Sequence, residues 1–204
     1  GGESWINNDN WCTELPVSEW YGIEVNYDGY VETVDLSYNN LNGTIPDEFC
    51  NLPKLKHLIL GNNENLTGNI PENIGALSSL VDLSLSWCNF SGNIPESITD
   101  LDNLECLRLS ENKLTGTIPE DMGNMKSLNL LSIARNRLTG SIPASFANLL
   151  NENLRECDLY GNCLSGTIPE AIYKNEYFAD FWIKMTEQNG EGIDFTGIVI
   201  KAPV

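Results

Sequence analysis

The sequence predicts an α/β right-handed solenoid of six stacked coils, each giving one short strand to a parallel concave sheet and a short 3-10 or helical segment to the convex side. Three observations carry this. A segment of the form LxLSxNxLxGxIP recurs six times, starting at residues 34, 58, 83, 107, 131 and 157. The intervals of 24, 25, 24, 24 and 26 residues are nearly constant. Within each copy the LxL stretch alternates with period two, the mark of a strand with one buried face. One unit this small cannot bury its own apolar side, so neighbours must stack and share a core.

The first copy reads Val34-Asp-Leu-Ser-Tyr-Asn-Asn-Leu-Asn-Gly-Thr-Ile-Pro46. Its leucines point inward and the residues between them outward. The column Asn39, Asn63, Cys88, Asn112, Asn136 and Asn162 places an amide at a bend, where it can satisfy buried peptide groups of its own and the adjacent coil. Cys88 is small and tolerates burial. Glycine recurs where the turn needs unusual backbone angles. The Ile-Pro pair then sets an inward apolar group and a φ suited to a first helical turn. Phe49, Ile74, Ile98, Met122 and Phe146 pack that segment inward. Glu64 forms a one-residue insertion, and residues 150–153 lengthen the convex loop of the fifth copy.

This pattern resembles the plant-specific class of leucine-rich repeats, which includes receptor-kinase ectodomains and polygalacturonase-inhibiting proteins and also occurs in bacterial surface proteins. The resemblance covers residues 31–175 and implies a curved leucine-rich-repeat solenoid, a second short sheet along LxGxIP, and ligand recognition on the concave face. Residues 1–30 are expected to form an N-terminal cap, with a hairpin around Asp28-Gly29. Residues 170–204 are expected to close the other end. There Ile172, Tyr173, Phe178, Phe181, Trp182 and Met185 recur at helical spacing over 170–187, and 195–200 reads as a strand. Trp20-Tyr-Gly-Ile23 resembles the WxGV element of the family's cap, but the second cap cysteine of plant members is Val25 here. Cys12 is therefore free or bonded elsewhere, with Cys50 the nearest candidate. Plant members also end in paired cysteines, and none follows Cys163. The closing segment resembles bacterial surface members, so a bacterial origin is expected.

The net charge of -18, from 29 acids against 11 bases, argues against nucleic acid and against anionic lipid. No apolar run is long enough to span a membrane. The chain opens Gly1-Gly2-Glu3 without an apolar leader, as expected where a targeting signal has been removed. The six cysteines form no CxxC pair, and His57 is the single histidine, so neither a metal nor any other cofactor is expected. No nucleophile or phosphate-cradling motif is present, and His57 reads as a surface residue, so the expectation is no enzyme. Three Asn-x-Ser/Thr sequons, at Asn42, Asn65 and Asn89, arise from the repeat itself.

The candidate site follows from the alternation. Tyr38, Ile59, Asp82, Trp87, Arg108, Glu111, Arg135, Glu156, Asp158 and Tyr160 are expected on the concave face. Tyr, Trp and Arg are the types enriched at binding hot spots. Six strands give a face about 25–30 Å long, suited to a protein, a peptide or a glycan. The expected function is a monomeric, extracellular or cell-surface binding module. The alternatives are a glycan- or wall-binding or hydrolase-inhibiting protein, and a structural or sensor ectodomain of a larger surface protein.

Overall fold

The computed structural model describes residues 2–179, 181 and 193–194. In chain order the strands are β1 (Ile23–Val25), β2 (Val31–Asp35), β3 (Asn42–Gly43), β4 (His57–Ile59), β5 (Asn65–Gly68) and β6 (Asp82–Ser84). They continue as β7 (Asn89–Phe90), β8 (Cys106–Arg108), β9 (Leu130–Ser132), β10 (Glu156–Asp158), β11 (Gly166–Thr167) and β12 (Ile193–Asp194). The main sheet runs β1-β2-β4-β6-β8-β9-β10, with β1–β2 antiparallel and the remaining pairs parallel. Its register aligns Val34, Leu58, Leu83, Leu107, Leu131 and Cys157, each at most 2% exposed. The core is thus a stack of equivalent side chains, as the six copies predict. The convex turns are 3-10 segments in the first four coils and a short helix α1 (Phe146–Leu149) in the fifth. Ile74, Ile98, Met122 and Phe146 are fully buried there, and Phe49 is half-buried.

The asparagine column ties each coil to the one before it. Asn63 accepts from the Asn39 and Leu41 backbone N–H groups at 3.0 and 2.8 Å, and its amide donates to the carbonyls of Leu36 and Leu60. Asn112, Asn136 and Asn162 repeat the arrangement, accepting from the N–H of Phe90, Leu114 and Leu138 at 2.9, 3.0 and 3.1 Å. The N-terminal cap uses the same device. Asn7 exchanges hydrogen bonds with Asn39 through its backbone N–H and carbonyl. Trp5 meets Trp11 edge-on and Trp11 meets Trp20 at a tilt, with ring centroids 4.9 and 5.0 Å apart.

Cys88 has a specific reason. In the other coils the residue two positions after the asparagine sends its N–H to the next coil's amide. In the second coil the extra residue Glu64 lets Leu66 N–H bond the carbonyl of Asn63 within the coil, at 2.9 Å. The acceptor that position 88 would supply is no longer needed there. The Cys88 thiol donates to the carbonyl of Leu60 at 3.4 Å, doing the remaining part of the job. Burial pushes its pKa up to about 11, so it stays a thiol.

Two expectations change. All six cysteines are free: Cys50 is buried under the first convex turn while Cys12 is exposed in the cap, so the Cys12–Cys50 bridge is absent. The C-terminal helix is interrupted within the described residues, stopping at Tyr173 and resuming at Phe178. After α2 (Glu170–Tyr173) the chain turns, because Asn175 donates to the carbonyls of Ala147 and Leu150 at 3.0 and 2.9 Å. Those are orphan acceptors at the end of α1, and meeting them interrupts the predicted helix. Ile172 and Phe178 are nonetheless buried against the last coil. Trp182, Met185 and the predicted strand over 195–200 lie outside the described residues.

Two outcomes follow. Deleting Glu64 and replacing Cys88→Asn should be coupled in a double-mutant cycle by roughly 1 kcal/mol in favour of the pair, measured by denaturant unfolding; additive effects would contradict the account of Cys88. Under native conditions an alkylating reagent should label Cys12 and Cys163 first and Cys88 and Cys157 last, read by mass spectrometry. Protection of Cys12 would restore the bridge.

Candidate binding face

The concave surface is a ladder that continues past the strands. The carbonyls of Gly61, Ser86, Ser110, Ala134 and Tyr160 accept from the N–H groups of Tyr38, Asn62, Trp87, Glu111 and Arg135 at 2.8–3.1 Å. To reach them and then turn inward to the asparagine, the chain enters the left-handed region at one equivalent position just before the asparagine column in every coil. These are Tyr38, Asn62, Trp87, Glu111, Arg135 and Gly161, with φ of 54, 59, 58, 57, 52 and 70°. Asn and Gly are the residues that favour such a backbone, and two coils use them. Holding Tyr, Trp, Glu and Arg there costs about 1–2 kcal/mol each. Tyr38 and Trp87 are 69% and 54% exposed, so packing does not offset the strain.

Behind this ridge the strand residues pair across coils. Arg108 donates from one guanidinium nitrogen to both carboxylate oxygens of Asp82, at 2.9 and 3.0 Å. Burial works against its charge, but Asp82 more than offsets this and the pKa of Arg108 is raised. Burial, with Asp82 beside it, pushes the Cys106 thiol up. Arg135 meets Glu111 at 3.2 Å and lies 5.6 Å from the ring centre of Tyr160. Lys56 meets Glu32 at 2.8 Å and, by that hydrogen bond, holds the carboxyl below its ordinary range. Ser110 and Ser132 share a hydrogen bond of 2.8 Å.

The structure thus brings Asp82 and Arg108 together, and Glu111, Arg135 and Tyr160. Ile59 and Glu156 are half-buried on their strands. Asp158 departs from expectation: it is only 9% exposed. Alternation gives the side of the sheet a residue occupies, whereas exposure depends on what packs over that side. Sequence reasoning missed a hollow of about 380 Å³ at the N-terminal end of the face, lined by Tyr21, Ile23, Glu24, Thr33, Asp35 and Ser37. It forms where the hairpin folds back on the first coil. Gly22, at φ 76°, sits where a Cβ would lie 2.1 Å from the Asp35 carbonyl oxygen, so only glycine permits that approach.

The second sheet forms another regular surface. β3-β5-β7 are parallel, and single bridges Asn93–Thr115 and Thr117–Thr139 extend the pairing. Thr67, Ser91 and Thr139 hydroxyls donate to the carbonyls of Gly43, Gly68 and Gly116 at 3.1, 3.4 and 3.2 Å. Asn93 of one coil lies over Gly116 of the next, where a Cβ would come within 2.4 Å of it. The hydroxyls of this face are therefore held against the preceding coil. Among the described residues no group of His, Cys, Asp and Glu is placed to hold a metal, and no helix is long and apolar enough to cross a membrane.

Comparison with known proteins gives one family. A family model described as a leucine-rich repeat region matches residues 31–162, and a second, described as a leucine-rich repeat, matches 153–175. Receptor-like protein EIX2 of Solanum lycopersicum is 36% identical over 75 residues, which are 37% of this chain and 7% of that protein. A polygalacturonase inhibitor of Vitis vinifera is 37% identical over 85 residues, 41% of this chain and 24% of the inhibitor. The chain thus spans a small part of the curated relatives it matches. A plant ice-binding protein superposes with a TM-score of 0.73 at 33% identity, over 83% of this chain and 55% of that one. The plant peptide hormone receptor RGFR1 in complex with RGF2 superposes with a TM-score of 0.66 at 38% identity, over 70% and 22%. These are plant proteins, and the bacterial origin expected from the closing segment finds no support among them. Six coils in register and a family model over residues 31–162 lead to one conclusion: the chain belongs to the leucine-rich-repeat family.

Proposed function

We propose that this chain is an extracellular binding module that captures a peptide or a protein surface on its concave face, without catalysis. The observation that carries the reading is the left-handed column. Tyr38, Trp87, Glu111 and Arg135 occupy backbone positions where stability favours the Asn and Gly of the other two coils. At Tyr38, Trp87 and Arg135 the strain is held at exposed side chains, which points to a role outside the fold. Relatives support the class: the chain resembles a peptide hormone receptor in complex with RGF2, a receptor-like protein and a polygalacturonase inhibitor. The extracellular location is inferred from the same relatives. A hydrolase edge is one kind of protein surface this face could hold, so the ligand screen includes a polygalacturonase.

A second reading has its own observation. The second sheet carries small polar residues at two repeat positions, Thr67, Ser91, Thr115 and Thr139 at one and Asn69, Asn93, Thr117 and Ser141 at the other, and Asn93 pairs with Thr115 and Thr117 with Thr139 across the coils. A plant ice-binding protein shares the fold at 33% identity. On this reading the regular face meets an ordered lattice of water.

Replacing Trp87→Gly or Arg135→Gly should leave the melting temperature unchanged or raise stability by up to about 1 kcal/mol, while abolishing capture of the partner found by the screen. Variants that bind like the parent would exclude the ridge as the site. For the second reading, the purified chain should slow ice recrystallisation and Thr117→Lys should remove that activity; ice growth unaffected by the parent chain dismisses it.

A further inference from the structure

We propose that the segment captured by the concave face is cationic and extended, and that one of its Lys or Arg side chains enters the hollow between Glu24 and Asp35. The inference rests on the concave-face reading above and adds the chemistry of the partner.

The charges of the face decide the sign. Among the described residues the cations at its outward and ridge positions are already bound, Arg108 by Asp82 and Arg135 by Glu111, at 2.9 and 3.2 Å. An anionic partner would have to break these pairs to find a positive group. The acids at the N-terminal end are different. Glu24 accepts from the Thr33 hydroxyl at 2.9 Å, and Asp35 from the Ser37 hydroxyl and N–H at 2.7 and 3.1 Å. Among the described residues neither has a cation within ion-pair reach. A neutral hydrogen bond holds one oxygen of each carboxylate, which orients the group and leaves its full charge to a ligand. The net charge of -18 adds long-range attraction for a cation.

The shape suits one side chain. The hollow of about 380 Å³ lies near the small end of ligand cavities. Tyr21, an exposed ring, lines it beside the two acids, which matches the apolar stem and charged head of Lys or Arg. The exposed ridge gives the extension. Tyr38 stands in the first coil and Trp87 in the third, about 10 Å apart at the spacing of parallel strands. Roughly three residues of extended chain cover that span.

The test uses the whole chain and a labelled peptide of Lys, Leu and Tyr, compared by fluorescence anisotropy with its Glu-for-Lys counterpart. The Lys peptide should bind and the Glu peptide should not. Glu24→Gln with Asp35→Asn should weaken binding about ten-fold or more. Asp100→Asn with Asp102→Asn, which removes equal charge from exposed convex positions, should weaken it less than about two-fold. Equal losses from both pairs, or no binding of the Lys peptide, overturn the proposal. Binding lost in Trp87→Gly but untouched by the Glu24 and Asp35 changes overturns it too, and leaves the ridge reading standing. Binding lost in the hollow pair but kept in Trp87→Gly supports the cationic site and removes the ridge. Melting curves confirm that each variant is folded.

Discussion

Everything in this molecule hangs on one inward side-chain amide, present in every coil but the third, where Cys88 replaces it. The inward asparagine accepts from the backbone of the preceding coil and donates to carbonyls of both, as at Asn63, Asn112, Asn136 and Asn162. A solenoid of short strands leaves its bends without a sheet partner, and unpaired buried peptide groups are costly. The amide meets that need without adding chain. It also fixes the spacing and orientation of successive coils, and so the register in which outward side chains line up.

The binding face is a by-product of this constraint. The chain must pass through a left-handed residue to bring the asparagine inward, and that residue's side chain is thrown outward at the rim of the concave sheet. Each coil therefore offers one position at the rim, exposed at Tyr38, Trp87 and Arg135 and half-buried in the other three coils. In this protein the positions carry two aromatics, an acid and a base besides Asn62 and Gly161. The same backbone that stabilises the stack displays its most variable residues, which is why a repeat fold can change partner without changing architecture.

Local departures from the repeat turn out to be linked. The insertion at Glu64 closes a turn within the second coil, and the next rung tolerates Cys88 in place of asparagine. The lengthened fifth convex loop leaves the carbonyls of Ala147 and Leu150 to be met by Asn175, which ends α2 early. In both cases an irregularity that looks isolated in sequence is one half of a hydrogen-bond exchange between coils about 25 residues apart.

The sequence by itself determined the six coils, their inward residues, the asparagine column and the outward side of each strand, because all of these follow from a periodicity of 2 within strands and about 24 between them. The left-handed column was not read from the sequence, because only Asn62 and Gly161 of its six residues favour that backbone. Tertiary structure alone decided which outward residues remain exposed, burying Asp158 and engaging Arg108, and it alone made the hollow at Glu24 and Asp35. Periodicity specifies direction. Exposure, pairing and concavity arise from what a neighbouring coil, a hairpin or a cap lays against each position, and those contacts join residues that no local pattern connects.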